Sequence, residues 1–413
     1  MASNKTLPFF GGGGDLESPK KSTNNKNKKK IVFVTNSRAD YGKLKPLMKA
    51  LKDLSPKHPL YNRIAYRIFV CGMHLLEKYG NTYIEILKDG FEHVFLSKPY
   101  ENEIPMDFAL ANTITQFSSF IVQEKPDLII VHGDRIESLA CAIVASFNNI
   151  LCAHIEGGEV SGTLDESIRH SVSKLAHLHY VCNQQAERNL IQMGEKMECI
   201  FNIGSSDIDA MLGDLPDFEE VERYYYQIKR FNRNYAILIY HPVVSETIDL
   251  PKHVFEVLEG VKASLKNFVV IYPNNDLGSN IILKALEGLK GHDRFIAFPS
   301  MRFEYFLTLL KNAQFIIGNS SCGIREAGVY GVPCINCGTR QHNRSDAKHI
   351  INVKENKDEI YLAIKKVHQL KSILKKSSHF GQGDSAKRFL ASLNLELFDT
   401  PTQKSFVIRE VKG

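Results

Sequence analysis

Short runs of β-branched and aromatic residues recur along this chain. Each stops at a cluster of glycine and polar or charged residues before an amphipathic stretch begins. The runs fall at 31–35, 66–71, 128–132, 150–155 and 178–182, with helical patterns at 43–54, 106–123 and 136–147 between them. They resume at 236–240, 268–272, 295–298, 315–317, 334–336 and 350–353, with helical patterns such as 254–265 and 302–311 in between. Strands that are apolar throughout, alternating with helices, specify an α/β chain with parallel sheets covered on both faces. A chain of 413 residues exceeds one ordinary core and implies two domains of roughly 150–200 residues. No self-similarity relates the halves, so the architecture repeats without a repeated sequence. The polar, acidic stretch 213–220 reads as the linker, which puts the boundary between 205 and 230. The expected division is a disordered tail at 1–30, an N-terminal doubly wound domain at 31–210, a C-terminal one at 211–395 and a tail at 396–413. Two such sheets facing one another form a cleft at their strand C-termini, where open α/β sheets bind ligands.

Charge narrows the partners. Of a formal net charge of +6, residues 1–30 supply +5, from seven lysines set against Asp15 and Glu17. The remaining body is nearly neutral, which disfavours nucleic acid, since such a partner demands a basic excess in the fold itself. The first thirty residues are rich in Asn, Lys, Ser and Gly and too poor in apolar groups to offset chain entropy. No apolar run approaches a membrane span, and 7–10 is too short for a signal-peptide core, so the expected location is the cytoplasm. Most of the eight cysteines sit in apolar segments, as reduced core thiols do. Cys334 and Cys337 form a CxxC, but no second pair accompanies them and the residues between continue a strand, so neither a zinc nor a redox site is expected. His170, His177 and His179 are spaced wrongly for one helix face. The Gly11–Gly14 run is not a phosphate loop, because no strand precedes it and no Gly-Lys-Ser/Thr follows.

The chemistry sits where strands end. The first half delivers Asp134, Glu156, Glu159, Asp165 and Glu166, and clustered carboxylates can raise one another's proton affinity enough for proton transfer near neutral pH. Asp165 and Glu166 equally suit the start of a helix at about Ser167. Asp134 and Glu156 each end an apolar strand beside glycine, where no helix needs a cap. The second half delivers Gly318-Asn319-Ser320-Ser321-Cys322-Gly323 ahead of a helical stretch, a pattern suited to a pyrophosphate cradle and also to a serine cap with a glycine turn. Glu326 reads either as a ligand for a pair of ribose hydroxyls or as a favourable charge in a first turn, and Arg340 is placed to meet a phosphate. There is no GxGxxG, which disfavours a dehydrogenase, and there is no GxSxG or HExxH.

Four motifs in order resemble the UDP-N-acetylglucosamine 2-epimerase family, in its hydrolysing branch that makes sialic and legionaminic acid precursors. They are His-Gly-Asp-Arg at 132–135, His-Ile-Glu-Gly-Gly-Glu-Val-Ser-Gly-Thr at 154–163, Asp-Glu-Ser-Ile-Arg-His at 165–170 and Gly-Asn-Ser-Ser-Cys-Gly-Ile-Arg-Glu at 318–326. The resemblance covers about 30–390, and the chain is expected to lack the sugar-kinase half fused to the animal enzyme. It implies a GT-B-like pair of Rossmann-like domains with UDP held mainly by the second. It places Arg38, Arg135, His241, Asn274, Ser320, Ser321, Glu326 and Arg340 at or beside the UDP-sugar. It assigns catalysis to Asp134, Glu156, Asp165 and His241, with Arg169 and His170 adjacent. At Gly42 the animal enzyme has a serine that touches the nucleotide, so one hydroxyl contact is in question here. The implied reaction removes the C2 proton, expels UDP to leave a glycal, adds water at C1 and returns a proton to the opposite face of C2. No metal or other cofactor is implied, the partners are the UDP-sugar and water, and the assembly is expected to be a homodimer or homotetramer. UDP-N-acetylglucosamine and UDP-N,N′-diacetylbacillosamine both remain open as substrates. A GT-B glycosyltransferase would share the fold but not need the dense carboxylate set, and a non-catalytic sensor should have lost it.

Overall fold

The computed structural model describes residues 28–405 and 407, apart from 100–103, 162, 343, 346, 372, 373 and 375. Residues 1–27 of the expected tail, Gly162 of the second motif and nearly all of 406–413 therefore lie outside the described residues.

The first sheet is wholly parallel. Its strands are β1 (Lys29–Thr35), β2 (Ile64–Val70), β3 (Val94–Leu96), β4 (Leu128–His132), β5 (Leu151–Ile155), β6 (Leu178–Val181) and β7 (Ile200–Asn202), in the order β3-β2-β1-β4-β5-β6-β7. The second is also parallel, with β8 (Ala236–Ile239), β9 (Phe268–Ile271), β10 (Phe295–Phe298), β11 (Ile316–Gly318), β12 (Cys334–Cys337) and β13 (Ile350–Val353). Its order, β10-β9-β8-β11-β12-β13, repeats that of the first six strands of the other sheet. Both follow the doubly wound pattern, whose crevice opens where the strand order reverses, between the first and fourth strands. That geometry selects the loops after β1, β4, β8 and β11 as the ones that meet a ligand.

The strands form because both faces are covered. Ile31, Val32 and Phe33 of β1 are wholly buried, and each such side chain contributes about 1.5–3 kcal/mol on leaving water. Ile31 and Phe33 join one apolar cluster and Val32 the opposite one, as period-two alternation requires. Cys334 and Cys337 likewise belong to clusters on opposite faces of the second sheet, so their side chains do not meet.

Three of the boundaries that differ from the sequence reading have a visible physical cause. β1 starts at Lys29 rather than 31, because Lys30 N–H donates to Asp127 at 2.8 Å and Lys29 pairs with the same carboxylate at 3.1 Å. The stretch 213–220 is not a free linker. Phe218 and Val221 are buried in a cluster that joins Val181 and Leu190 of the first lobe to Ile237 and Leu309 of the second. The C-terminal segment returns to the first lobe. Helix Ser385–Ser392 packs Phe389 against Phe33, and Leu397 and Phe398 sit in the same core, so 396–399 is structured. The apolar periodicity at 385–398 shows that this segment buries one face, but not against which sheet.

Candidate active site

The two crevices face each other across one cavity of about 280 Å³. Arg38, Asp134, Arg135, Glu156, His241, Asn274, Ser320, Ser321, Glu326 and Arg340 all line it. Asp165 is not on the wall itself but accepts a 2.7 Å bond from the guanidinium of Arg340, which does line the cavity. His170 stands further out, 3.4 Å from Glu166. His177 and His179 point elsewhere, to the Thr402 carbonyl and to Glu195. Among the described residues, Glu246, His253 and Glu355 bring three potential ligand atoms within 4.8 Å of one another, outside this cavity.

The carboxylates of the first lobe are matched by cations, mostly from the second. Arg325 spans the seam and grips Glu156 at 2.6 and 2.8 Å and Glu159 at 3.0 and 3.1 Å. Arg344 donates to Glu159 at 2.7 Å. Arg135 reaches the other way, to Asp276 at 3.0 Å and Asn275 at 2.8 Å. Asp134 pairs within its own lobe with Arg169, a guanidinium also held by the Glu159 carbonyl at 3.2 Å and Ser161 Oγ at 3.1 Å. Lys43 sits among Asp207 at 3.3 Å, Glu156 at 3.5 Å and Glu326 at 3.5 Å.

These contacts decide the protonation states. Burial alone would raise the Asp134 carboxyl, but the guanidiniums of Arg169, Arg344 and Arg340 hold it well below the usual range. Glu156 is likewise held far down against burial by Arg325, Lys43 and His132. Glu159 is lowered to about 2, its burial outweighed by Arg325 and Arg344. Asp165 and Glu326 go the other way. Burial raises both, with Asp134 and Asp276 adding to it at Asp165, and Asp207 at Glu326. Glu326 Oε2 is a buried oxygen with no protein partner, on the wall of the cavity.

His241 is driven well below its ordinary value by burial and by Arg340 and Arg135. Its Nδ1 accepts the Asn274 N–H at 3.0 Å, so the ring is neutral with its proton on Nε2. Asn319, wholly buried after β11, fixes the His241 backbone through a 2.6 Å bond from the N–H and a 2.9 Å bond to the carbonyl. That approach requires Gly318, whose φ is +129° and where any Cβ would stand 1.9 Å from the Ile239 carbonyl oxygen. The helix after Ser320 is shorter than the sequence suggests. It runs only Ser321–Ile324, breaks at Arg325 and resumes as Glu326–Tyr330. Four residues carry little dipole, so a helix macrodipole adds little at this wall of the cavity.

The questioned contact at Gly42 has a structural counterpart. A Cβ there would stand 2.3 Å from the Phe303 ring of the second lobe. Arg38 beside it is aligned by Glu85 at 2.6 and 3.0 Å and donates to Ser300 Oγ at 2.7 Å.

Lys43, Asp40, His132, Arg325 and Arg344 also line the cavity, and the sequence reading gave none of them a site role; Glu159, which it counted among the strand-end carboxylates, lines it too. Lys43 had a signal, because it lies on the buried stripe of helix Arg38–Lys52 that holds Leu44, Leu47 and Leu51. Arg325 lay inside a recognised motif, but nothing local shows that its partners are more than 160 positions away.

His132 lies 2.8 Å from Asp40 and 3.2 Å from Glu156. Burial lowers its imidazole, yet Glu156 and Asp40 outweigh this and raise it from 6.5 to about 9. A raised value means the stabilisation is complete below about 6.5 and is lost as pH climbs through about 9. Each tenfold gain in proton affinity is worth about 1.4 kcal/mol. Unfolding free energy is therefore expected to fall between pH 6.5 and 9, and His132→Gln to flatten that part of the curve. Denaturant titrations of both proteins across this range check it, and an unchanged slope would refute it.

The model of the UDP-N-acetylglucosamine 2-epimerase family matches residues 59–394, and the chain belongs to this family. It is 43% identical over 390 residues to the UDP-N-acetylglucosamine 2-epimerase of Neisseria meningitidis, covering 92% of this chain and 99% of that one. It is 32% identical over 370 residues to the UDP-N,N′-diacetylbacillosamine 2-epimerase (hydrolyzing) of Legionella pneumophila, covering 87% and 94%. The fold matches the crystal structure of the Methanocaldococcus jannaschii UDP-GlcNAc 2-epimerase in complex with UDP-GlcNAc and UDP. There the TM-score is 0.71 at 22% identity, covering 88% of this chain and 98% of that one. The architecture is thus a GT-B-like pair of Rossmann-like domains. No helix among the described residues is long and apolar enough to cross a membrane.

Proposed function

We propose that this protein is a hydrolysing 2-epimerase that converts UDP-N-acetylglucosamine and water to UDP and free N-acetylmannosamine. The observation that carries this reading is one cavity in which anion-binding and ribose-binding groups of the second lobe oppose buried carboxylates of the first. Ser320, Ser321 and Arg340 receive the diphosphate, with Arg38, Arg135 and Asn274 around it. Glu326, with an unpartnered oxygen on the cavity wall, accepts the ribose hydroxyls. The neutral His241 presents Nε2–H to the departing phosphate oxygen, where negative charge develops as the C1–O bond breaks.

The C2–H bond is weakly acidic, so a base must be close and desolvated. Asp134, Glu156 and Asp165 are the candidates. Asp134 and Glu156 are held ionised, which keeps them ready to accept a proton but makes them weak bases in the unliganded cleft. A diphosphate beside Arg340 and Arg344 cancels part of the positive field on Asp134 and raises its basicity once substrate is in place. Elimination leaves a C1–C2 double bond, water adds its oxygen at C1, and a proton returns to C2 from the opposite face. In this scheme the protein works as a homo-oligomer.

Incubation with UDP-N-acetylglucosamine in deuterated water, followed by NMR, tests the reading. UDP release with deuterium at C2 of free N-acetylmannosamine supports it. A 2-epimerised sugar still bound to UDP would replace the hydrolysing reading with a reversible one, and transfer only on addition of an acceptor would replace it with a glycosyltransferase. The likeness to the Legionella pneumophila protein favours a second substrate, UDP-N,N′-diacetylbacillosamine, tested in the same way.

A further inference from the structure

The helix Leu164–Leu175 runs from the active site to the far side of the first lobe. Its first turns carry Asp165, which meets Arg340, and Arg169, which meets Asp134. At about 1.5 Å per residue its other end is some 16 Å away. There the last carbonyls of the helix have no intrahelical partner. One side chain covers them. Lys404, from the C-terminal segment, donates its Nζ to the carbonyls of Ala176 at 2.6 Å, Lys174 at 3.0 Å and Ser173 at 3.3 Å.

The anchor is built on both sides. Lys404 Nζ also pairs with Glu195, a buried carboxylate that accepts from Lys174 at 2.7 Å and lies 3.0 Å from His179 Nε2. One step back, the Thr402 carbonyl accepts from His177 Nε2 at 2.8 Å, and His177 Nδ1 accepts the Cys152 N–H at 3.1 Å. Thus the segment is fixed to strand β5, which delivers Glu156, and to the helix that carries Asp165 and Arg169. A cation at the carboxyl end also opposes the negative end of the helix dipole.

We propose that Lys404 is a positioning residue for the reaction, holding helix Leu164–Leu175 at the axial setting that puts Asp165 and Arg169 in the cleft. The diphosphate pocket lies mostly on the other lobe and is not touched by this anchor. The inference rests on the hydrolysing-epimerase reading for its turnover assay, but not for its structural readout.

The test uses the full chain. Lys404→Ala is expected to lower kcat by about ten- to a hundredfold, the range for a small misplacement of reacting groups, while KM and UDP affinity stay within about twofold. Hydrogen exchange across 164–176 should quicken. Lys404→Arg, which can still donate to several carbonyls, should keep at least about half of kcat. A purely structural role is separated by Lys404→Ala/Glu195→Gln, which removes the buried carboxylate that Lys404→Ala leaves with one cation fewer. That double variant should regain melting temperature without regaining kcat. A kcat within about twofold of the parent in Lys404→Ala, recovery of kcat together with melting temperature in the double variant, or unchanged exchange across 164–176 would each overturn the proposal. If the parent protein turns over no UDP-sugar, the epimerase reading fails instead, and the exchange measurement still decides whether Lys404 anchors the helix.

Discussion

Glu156→Gln is expected to reduce turnover of the UDP-sugar by about 10²–10⁴-fold, the usual worth of a positioned acid or base, with UDP affinity nearly unchanged. Asp134→Asn should fall in the same range. The reason lies in geometry as well as charge. Glu156 follows β5 with φ of 64°, a left-handed setting that costs a non-glycine residue about 1–3 kcal/mol and persists only where surrounding contacts impose it. Arg325 and Ser205 supply those contacts. Glutamine keeps the shape and one acceptor oxygen but loses the charge that takes up a proton. Turnover assays with isothermal titration of UDP check both parts, and retention of near-normal turnover by both variants would remove these two carboxylates from the chemistry.

Arg325→Ala is expected to have the largest effect on stability. Its guanidinium is about 1% exposed, faces two carboxylates of the opposite lobe and lies 4.9 Å over the Phe380 ring. Breaking a buried ion pair from one side typically costs about 3–5 kcal/mol, because the partner is left charged and dry. Here two carboxylates lose a cation at once, although Arg344 still holds Glu159 and Lys43 and His132 still face Glu156, so the lower part of that range is expected. Urea unfolding should show the loss, and Glu156→Gln with Glu159→Gln in the Arg325→Ala background should return part of it by removing the carboxylates that have lost their principal cation. If Arg325→Ala unfolds within about 1 kcal/mol of the parent, the pairing contributes no more than an exposed salt bridge.

Much of the fold was legible because its signals are local. Strands 128–132, 295–298 and 350–353 and the helix 136–147 fall where the apolar pattern places them. The two strands that the pattern did not reveal, Val94–Leu96 and Ile200–Asn202, are three residues long and at or near a sheet edge, too short for any periodicity to register. Residues at strand ends were legible for the same reason, since glycine beside a lone carboxylate after an apolar run stands out. What the sequence hides is pairing. The reading sorted carboxylates to one lobe and anion binders to the other. In the structure Arg325, Arg340 and Arg344 cross the cleft to bind carboxylates of the first lobe, Arg340 among them although the reading set it aside for a phosphate. Nothing local to these positions records partners so distant in the chain, and the low proton affinity of Glu156 follows first from Arg325, whereas that of Asp134 follows first from Arg169 of its own lobe and then from Arg344 and Arg340.

The return of the last helix to the first sheet also bears on how the chain is put together. Strand β1 and the closing segment share one core, with the Lys29 ammonium 5.5 Å from the Phe398 ring, so strand β1 and the segment 396–399 are neighbours. In topological terms the second lobe is an insert, entered near 213 and left near 380, within a first lobe that closes upon itself. New termini could therefore be opened in the second lobe and a short link made between the start of strand β1 and the segment after Phe398, leaving the core of the first lobe uncut. A circular permutant of this kind is the natural form in which to exchange one nucleotide-binding half for another while keeping the half that carries the carboxylates.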